Sequence, residues 1–286
     1  MNIAIIGCGY VGSAVARFWQ NQKDHIVTVT TTSQERVAEL EKISQRVVVI
    51  NGDDELALRS ILENQDAVVV SVAPKRDRVA TPQEYRSLNA NPYEQTYLRT
   101  AKTIVAALQH TPRVKQLIYT GSYSVYGDRN GELVDENSPV PPANSNGQIL
   151  FDTEQVLLQA SHENLKVCIL RLGGIYGSGR ELVRIFSRWA GTTRPGKGEY
   201  VTNWIHLDDI VSAIDFALTH QLQGTYNLVN DVPMLGRELI DWVLESHNLP
   251  KVTWDESADE IRPYNARVSN QKIKAAGYKL IHPQIV

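Results

Sequence analysis

Cysteine is scarce in this chain of 286 residues. Only Cys8 and Cys168 occur, too few and too far apart for a disulfide framework or a thiolate metal cluster. Excess charge of one sign is also missing: the formal net charge of −3 leaves no basic footprint for nucleic acid. Long apolar runs are absent, and none approaches the ~20 residues that a membrane-spanning helix needs. The opening Asn2-Ile3-Ala4-Ile5-Ile6-Gly7 lacks the basic start, extended apolar stretch and cleavage site of a secretory leader. These absences lead us to expect a soluble, cytoplasmic protein with no metal site and with neither nucleic acid nor membrane as partner. No internal repeat or low-complexity tract interrupts the chain.

What is present is an alternation. Short runs rich in valine and isoleucine lie at 3–6, 26–30, 47–50, 67–72, 116–120 and 167–170. Apolar on both faces, they read as buried parallel strands. Segments with helical spacing separate them, near 11–20, 34–42, 55–63, 93–110 and 148–162. Strand-helix alternation of this kind predicts an α/β fold, a doubly wound parallel sheet of the Rossmann type. The second half is less regular and is punctuated by Gly173-Gly174, Gly177–Gly179 and Pro195-Gly196-Lys197-Gly198. Helices are expected there near 181–190, 207–219 and 236–247. The expected division is a dinucleotide-binding domain over 1–175 and a substrate lobe over 176–286, with 205–230 returning to the sheet. Two stretches, 73–92 and 121–147, read as long loops of the kind that carry function.

The first strand runs into Gly7-Cys8-Gly9-Tyr10-Val11-Gly12, and an amphipathic helical segment follows. A G-x-G-x-x-G run alone is weak evidence, but between a strand and a helix it has a mechanism. Gly7 permits the tight turn, Gly9 lets the backbone approach a pyrophosphate, and Gly12 lets helix and strand pack closely. The helix start then offers N–H groups and a positive dipole end to the phosphates. Tyr10 and Val11 complete the turn, while Val72 and Ala73, following the fourth strand, are expected beside the same cofactor. The alternative is a plain structural turn.

Which dinucleotide binds depends on the end of the second strand, where an acid would hold the ribose 2′-hydroxyl of NAD. The residues there are Thr31-Thr32-Ser33, with Arg36 shortly after. Hydroxyls and an arginine suit a 2′-phosphate, which favours NADP over NAD. Arg36 as an ordinary solvated helix residue is the competing reading. Asp53 either contacts the adenine or caps the helix that begins near Glu55. Cys8, inside the turn, reads as a small buried filler.

At Thr120-Gly121-Ser122-Tyr123-Ser124-Val125-Tyr126-Gly127 the chain resembles the short-chain dehydrogenase/reductase superfamily, on its extended, NAD-dependent epimerase/dehydratase side. Further segments match in order: Arg171 to Arg180, Trp204-Ile205-His206-Leu207-Asp208-Asp209-Ile210, Gly224 to Leu228, and Arg267-Val268-Ser269-Asn270 to Ala276-Gly277-Tyr278. The subgroup it is most similar to is the atypical, YeeZ-like one. The resemblance implies a nicotinamide cofactor and a small carbonyl or sugar-nucleotide-type substrate. It implies a carbonyl-binding serine at Ser122 and lobe arginines, Arg180 and Arg262, that grip an anionic substrate. It also implies that helices 93–110 and 148–162 could pair two chains into a homodimer.

The family's acid/base pair is missing. Members of the family carry Tyr-x-x-x-Lys, with a glutamate four residues after the lysine. Here that glutamate matches Glu154, which puts Leu150 in the lysine position and Asn146 in the tyrosine position. Neither can transfer a proton near neutral pH, and 128–165 contains no tyrosine. Ser122, Tyr123 and Tyr126 remain as catalytic candidates, although Ser122 also suits a turn that bonds its own backbone and Tyr126 suits packing. Lys75, Arg76 and Arg78 could meet an anionic substrate but read better as a solvated charge run. His206 reads as a structural hydrogen-bonding residue, and Asp208 and Asp209 as first-turn carboxylates favoured by a helix dipole. Two functions fit: an oxidoreductase or epimerase with a non-standard acid, or a degenerate NADP(H) sensor. A purely structural role would require a vestigial cofactor site.

Overall fold

The computed structural model describes residues 1–21, 25–74, 91–141, 144–258 and 264–285. Its centre is a seven-stranded sheet. The strands are β1 (Asn2–Ile6), β2 (Ile26–Thr31), β3 (Arg46–Val49), β4 (Ala67–Val70), β5 (Gln116–Ser122), β6 (Lys166–Leu172) and β7 (Gly224–Leu228). They lie in the order β3-β2-β1-β4-β5-β6-β7. β1 runs parallel to β2 and to β4, β2 to β3, and β4 to β5. This is the expected α/β, Rossmann-type sheet. The strand order reverses between β1 and β4, and in such sheets a crevice opens at the carboxyl ends of the two strands at that point.

Buried strands form because their residues are apolar on both faces. Ile3, Ala4, Ile5, Val68 and Val69 are wholly buried. Helices α1 (Tyr10–Gln20), α2 (Glu55–Leu62), α3 (Thr100–Leu108) and α4 (Ser145–Gln159) supply the covering layers. Leu58, Ile61 and Leu62 of α2, Ala101, Ile104 and Ala107 of α3, and Leu157 of α4 share one core with β1, β4, β5 and β6. Helix α5 (Leu207–Thr219) starts and stops where its periodicity predicts. Its Asp215 accepts the indole N–H of the wholly buried Trp19 at 2.7 Å, which ties α1 to α5.

Several elements differ from expectation. The segment near 34–42 is a 3-10 turn, Gln34–Arg36, followed by a single short helix, Val37–Leu40. The helix expected from 93 opens as a wide π-turn, Glu94–Arg99, before α3. Helix α4 begins three residues early because the Asn144 side chain accepts the Gly147 N–H at 2.8 Å. Asp54, not Asp53, caps α2, taking the Ala57 N–H at 2.9 Å. The stretch 121–147 is not wholly loop: it holds the 3-10 turn Tyr123–Tyr126 and the strand Leu133–Val134, paired with Arg267–Val268. Most of the 73–92 stretch, with Lys75, Arg76 and Arg78, lies outside the described residues.

The chain forms two compact units and passes between them repeatedly. One comprises Met1–Gly121, Gln148–Leu170 and Ala213–Thr225, the other Ser122–Gly147, Arg171–Ser212 and Tyr226–Val286. In the second unit, Gly174–Tyr176 pairs in parallel with Trp204–His206. A separate apolar cluster joins Leu182 and Phe186 to Leu239, Ile240, Val243 and Leu244 of α6 (Gly236–Ser246). No helix among the described residues is long and apolar enough to cross a membrane.

One pH effect follows from the first unit. Asp66 loses hydration, which pushes its carboxyl up. Its bonds from Arg113 Nε (2.9 Å) and the Asn2 N–H (2.7 Å) more than offset this and leave it below the ordinary aspartate range. A depressed folded pKa gives stability that is present above the unfolded value, ~3.9, and lost as pH falls through the lower folded value. In urea titrations below pH 4, Asp66→Asn is expected to flatten the fall of stability with pH. A slope equal to that of the parent would show that Asp66 contributes nothing there.

Candidate functional site

Within the first unit, the glycine turn lies at the point of strand reversal. Thr30, buried in β2, holds it: its Oγ1 accepts the Gly7 N–H at 3.0 Å and its carbonyl accepts the Cys8 N–H at 2.8 Å. Each glycine has a different reason to be there. Gly7 sits at φ +87°, and a Cβ would lie 2.8 Å from the Ser71 carbonyl oxygen and from Val72 Cγ1. A Cβ on Gly12 would lie 2.7 Å from the Gly7 carbonyl oxygen, so glycine sets how closely α1 approaches the turn. Gly9 is the opposite case. Among the described residues nothing lies within 4 Å of where its Cβ would be, which leaves room for a ligand.

Gly9 is also the N-cap of α1. No side chain caps that end, and no acid sits in its first turn. An anion is therefore the complement that this helix start favours. A dinucleotide pyrophosphate fits these residues: an open backbone approach at Gly9, a positive helix end at Tyr10 and Val11, and Val72 and Ala73 just beyond β4.

Around the end of β2, Thr31 Oγ1 accepts the Ser33 N–H at 3.1 Å, while Thr32 is exposed. Arg36 is not a freely solvated helix residue. Its guanidinium donates to the Cys8 carbonyl at 2.5 Å and to Ser13 Oγ at 3.3 Å, and it pairs with Glu39 at 3.1 Å. The hydrogen bond from Arg36 holds Glu39 below the ordinary glutamate range. The pair is exposed on its glutamate side, where such bridges contribute only ~0–1 kcal/mol. A phosphate dianion could therefore take the place of Glu39 at little cost. Cys8 is buried, and burial pushes its thiol up, which suits a filler rather than a redox group. Asp53 is exposed and lies 4.0 Å from Arg99.

In the second unit, Ser122 closes β5. Its Oγ accepts the Ser124 N–H at 3.2 Å and pairs with Ser124 Oγ at 2.9 Å, forming the turn cap that was the alternative reading. Tyr123 is half-buried and edge-on to Tyr264, with ring centroids 6.2 Å apart. Tyr126 is wholly buried, donates to Asn227 Oδ1 at 2.9 Å and lies under the Arg171 guanidinium. Desolvation pushes its hydroxyl above the ordinary tyrosine value. A hydroxyl so enclosed suits packing, the other reading of this residue.

Among the residues in the family's acid/base positions, Leu150 is buried and Asn146 half-buried. Glu154 is wholly buried, and its Oε1 lies 3.1 Å from where a Cβ on Gly121 would be. Glycine at 121 thus gives that carboxylate its room. Arg180 is half-buried, and its backbone bridges to Gly177. Arg262 lies outside the described residues.

Sequence reasoning missed the residues that latch the C-terminal segment. Asp209, wholly buried, accepts the Ile281 N–H at 2.6 Å, the His282 N–H at 3.0 Å and the Tyr278 hydroxyl at 3.2 Å. Asp209 is thus a buried anchor as well as a first-turn carboxylate. His206 Nδ1 accepts the Asp208 N–H at 3.2 Å, the structural bond expected of it. Burial and the neighbouring His282 hold the His206 ring below its ordinary pKa. No local signal points to His282, because its partners lie more than seventy residues earlier in sequence.

Comparison with known proteins agrees with this architecture. The model of the NAD dependent epimerase/dehydratase family matches residues 3–229. Protein YeeZ of Escherichia coli K12 is 32% identical over 237 residues, covering 79% of this chain and 76% of that protein. Among solved structures, a functionally unknown conserved protein from Silicibacter pomeroyi superposes with a TM-score of 0.75 at 24% identity, covering 99% of this chain and 94% of the other. A variant of UDP-glucuronic acid 4-epimerase from Bacillus cereus, in complex with NAD and a fluorinated UDP-sugar, gives a TM-score of 0.80 at 16% identity, covering 99% and 95%.

Proposed function

Because this chain belongs to the NAD dependent epimerase/dehydratase family, we propose that it is an NADP(H)-dependent oxidoreductase or epimerase acting on a small carbonyl or sugar-nucleotide-type substrate. The observation that carries the reading is the glycine turn with open space over Gly9 and a guanidinium laid beside it. In this reading, Gly7 to Gly12 hold the pyrophosphate and Arg36, with Thr32 and Ser33, receives the 2′-phosphate. Thr31 shapes that end of β2, Asp53 faces the adenine, and Val72 and Ala73 flank the cofactor. When bound, the nicotinamide supplies a carbon that accepts and returns a hydride. The chain's task is to hold the substrate oxygen and move its proton. Ser122 is assigned to hydrogen-bond that oxygen, and Tyr123 to exchange the proton. Arg180 and Arg262 are assigned to the substrate's anionic group. The relative from Bacillus cereus, with its bound UDP-sugar and NAD, supports the substrate class.

Tyrosine's ordinary pKa is ~10, and no lysine follows Tyr123 at the family's spacing. The positive charge of the oxidised nicotinamide is the helper that this arrangement would use. A single-turnover assay of nicotinamide absorbance with a panel of UDP-sugars and small aldehydes and ketones tests the reading. We expect an absorbance change that slows by about 100-fold or more in Tyr123→Phe, the usual scale for loss of a general acid, with NADPH affinity unaltered. Silence across the panel in the parent protein would overturn it. The buried Leu150 in the lysine position favours a second reading, a sensor of the NADP(H) pool. Silence together with unequal affinities for NADP⁺ and NADPH would support that alternative.

A further inference from the structure

Cysteine scarcity excludes thiolate clusters but not imidazole and carboxylate ligands. Among the described residues, one group of metal-competent side chains converges: His206, Asp208 and His282, whose ligand atoms all lie within 4.8 Å of one another. They come from three places in the second unit. His206 ends the strand Trp204–His206, Asp208 stands in the first turn of α5, and His282 belongs to the C-terminal segment.

The distances fit a metal ion. Asp208 Oδ2 lies 3.5 Å from His206 Nδ1 and 3.4 Å from His282 Nε2. A tetrahedral ion with bonds of about 2.0–2.1 Å spaces its ligand atoms by roughly 3.3–3.4 Å. The two imidazoles lie against each other at a tilt of 41°, with centroids 3.8 Å apart. Only Asp208 is mostly exposed; His206 retains 16% of its side-chain surface and His282 37%. Three protein ligands would leave the fourth tetrahedral position to a solvent molecule. Two nitrogens and one carboxylate oxygen also suit a borderline divalent ion better than Mg²⁺ or Ca²⁺, which take oxygen ligands.

We propose that His206, Asp208 and His282 form a site for a first-row divalent transition-metal ion of the Zn²⁺ type. The ion ties the C-terminal segment to the start of α5. It acts beside the latch already made by Asp209 with Ile281 and His282. Tyr176, edge-on to His206 at 4.9 Å, forms one wall. Binding requires the Nδ1 lone pair of His206 to exchange the Asp208 N–H for the ion. The role is structural and independent of the cofactor and of turnover.

The test is a titration of chelator-treated full-length protein with Zn²⁺, and with Co²⁺ as a visible-absorbing substitute. The expected result is one equivalent bound per chain. A rise in Tm and slower amide exchange over 277–285 should accompany it, since a ligand bound only by the folded state stabilises it. His282→Gln and Asp208→Asn are each expected to weaken binding by at least about 100-fold, beyond the ten- to hundred-fold cost of losing only an outer hydrogen-bond partner. Thermal melts of the metal-free variants verify that both fold, as the partial exposure of the two side chains predicts. No saturable binding by the parent would overturn the proposal. So would binding that both folded variants retain, because the ion would then sit on other histidines.

Discussion

Replacing Gly9 by alanine is expected to abolish most dinucleotide affinity while leaving the fold intact. Gly9 has φ −82°, outside the left-handed region, and its Cβ would meet no atom of the described residues within 4 Å. The fold therefore loses only the N-cap preference for glycine over alanine, about 1 kcal/mol or less. The new methyl group would occupy the space through which a pyrophosphate reaches the backbone. Two unmade phosphate hydrogen bonds at roughly 1.4 kcal/mol each correspond to about 100-fold in affinity. Gly12→Ala is the contrast. Its Cβ would press to 2.7 Å on the Gly7 carbonyl oxygen, a backbone atom, and to 3.2 Å on Ile5 Cγ2. Helix and strand must separate, which costs about 1–3 kcal/mol in stability. Urea denaturation and calorimetric titration with NADPH distinguish the two variants. Equal losses of stability in both would mean that Gly9 is a structural residue like its neighbours.

Arg36 carries the second large effect. Arg36→Gln is expected to weaken NADPH binding by about 10- to 100-fold, the worth of a charge-assisted contact of roughly 1.5–3 kcal/mol. NADH binding should change far less, because NADH has no 2′-phosphate to lose. Glutamine is chosen over alanine since its amide can still donate to the Cys8 carbonyl that Arg36 now holds. That choice separates the loss of charge from collapse of the turn. Equal weakening toward NADPH and NADH would show that Arg36 only braces the turn.

The sheet and its first helices were legible because each rests on local pattern. A short valine-rich run such as Ala67–Val70, apolar on both faces, suits a strand covered on both sides, and every residue of β4 is buried. Helix α5 was legible to the residue because Asp208 and Asp209 mark its first turn and its apolar spacing is regular. Legibility ended where partners are distant in sequence. The pairing of Gly174–Tyr176 with Trp204–His206 involves strands of three residues, too short for a period to register. Asp209 reads in the sequence as a first-turn carboxylate, and it is also buried under a segment that returns seventy residues later. Arg36 could be placed near the cofactor turn by its position after β2. Its grip on Cys8 and Ser13 became visible only with coordinates, as did the choice of Asp54 over Asp53 as cap. The catalytic candidates were the least legible. Tyr123 and Tyr126 lie three residues apart, but only one is enclosed, and burial is set by Arg171 and Asn227 from distant parts of the chain.

We expect the glycine turn of this chain to bind a phosphorylated nicotinamide dinucleotide although the family's Tyr-x-x-x-Lys pair is gone. Calorimetric titration of the purified full-length protein with NADPH, followed by competition with NADH, tests it most directly. The expected result is one NADPH site per chain, from which NADH displaces NADPH only at large excess. An absence of saturable heat with either dinucleotide, or displacement of NADPH by equimolar NADH, would contradict it.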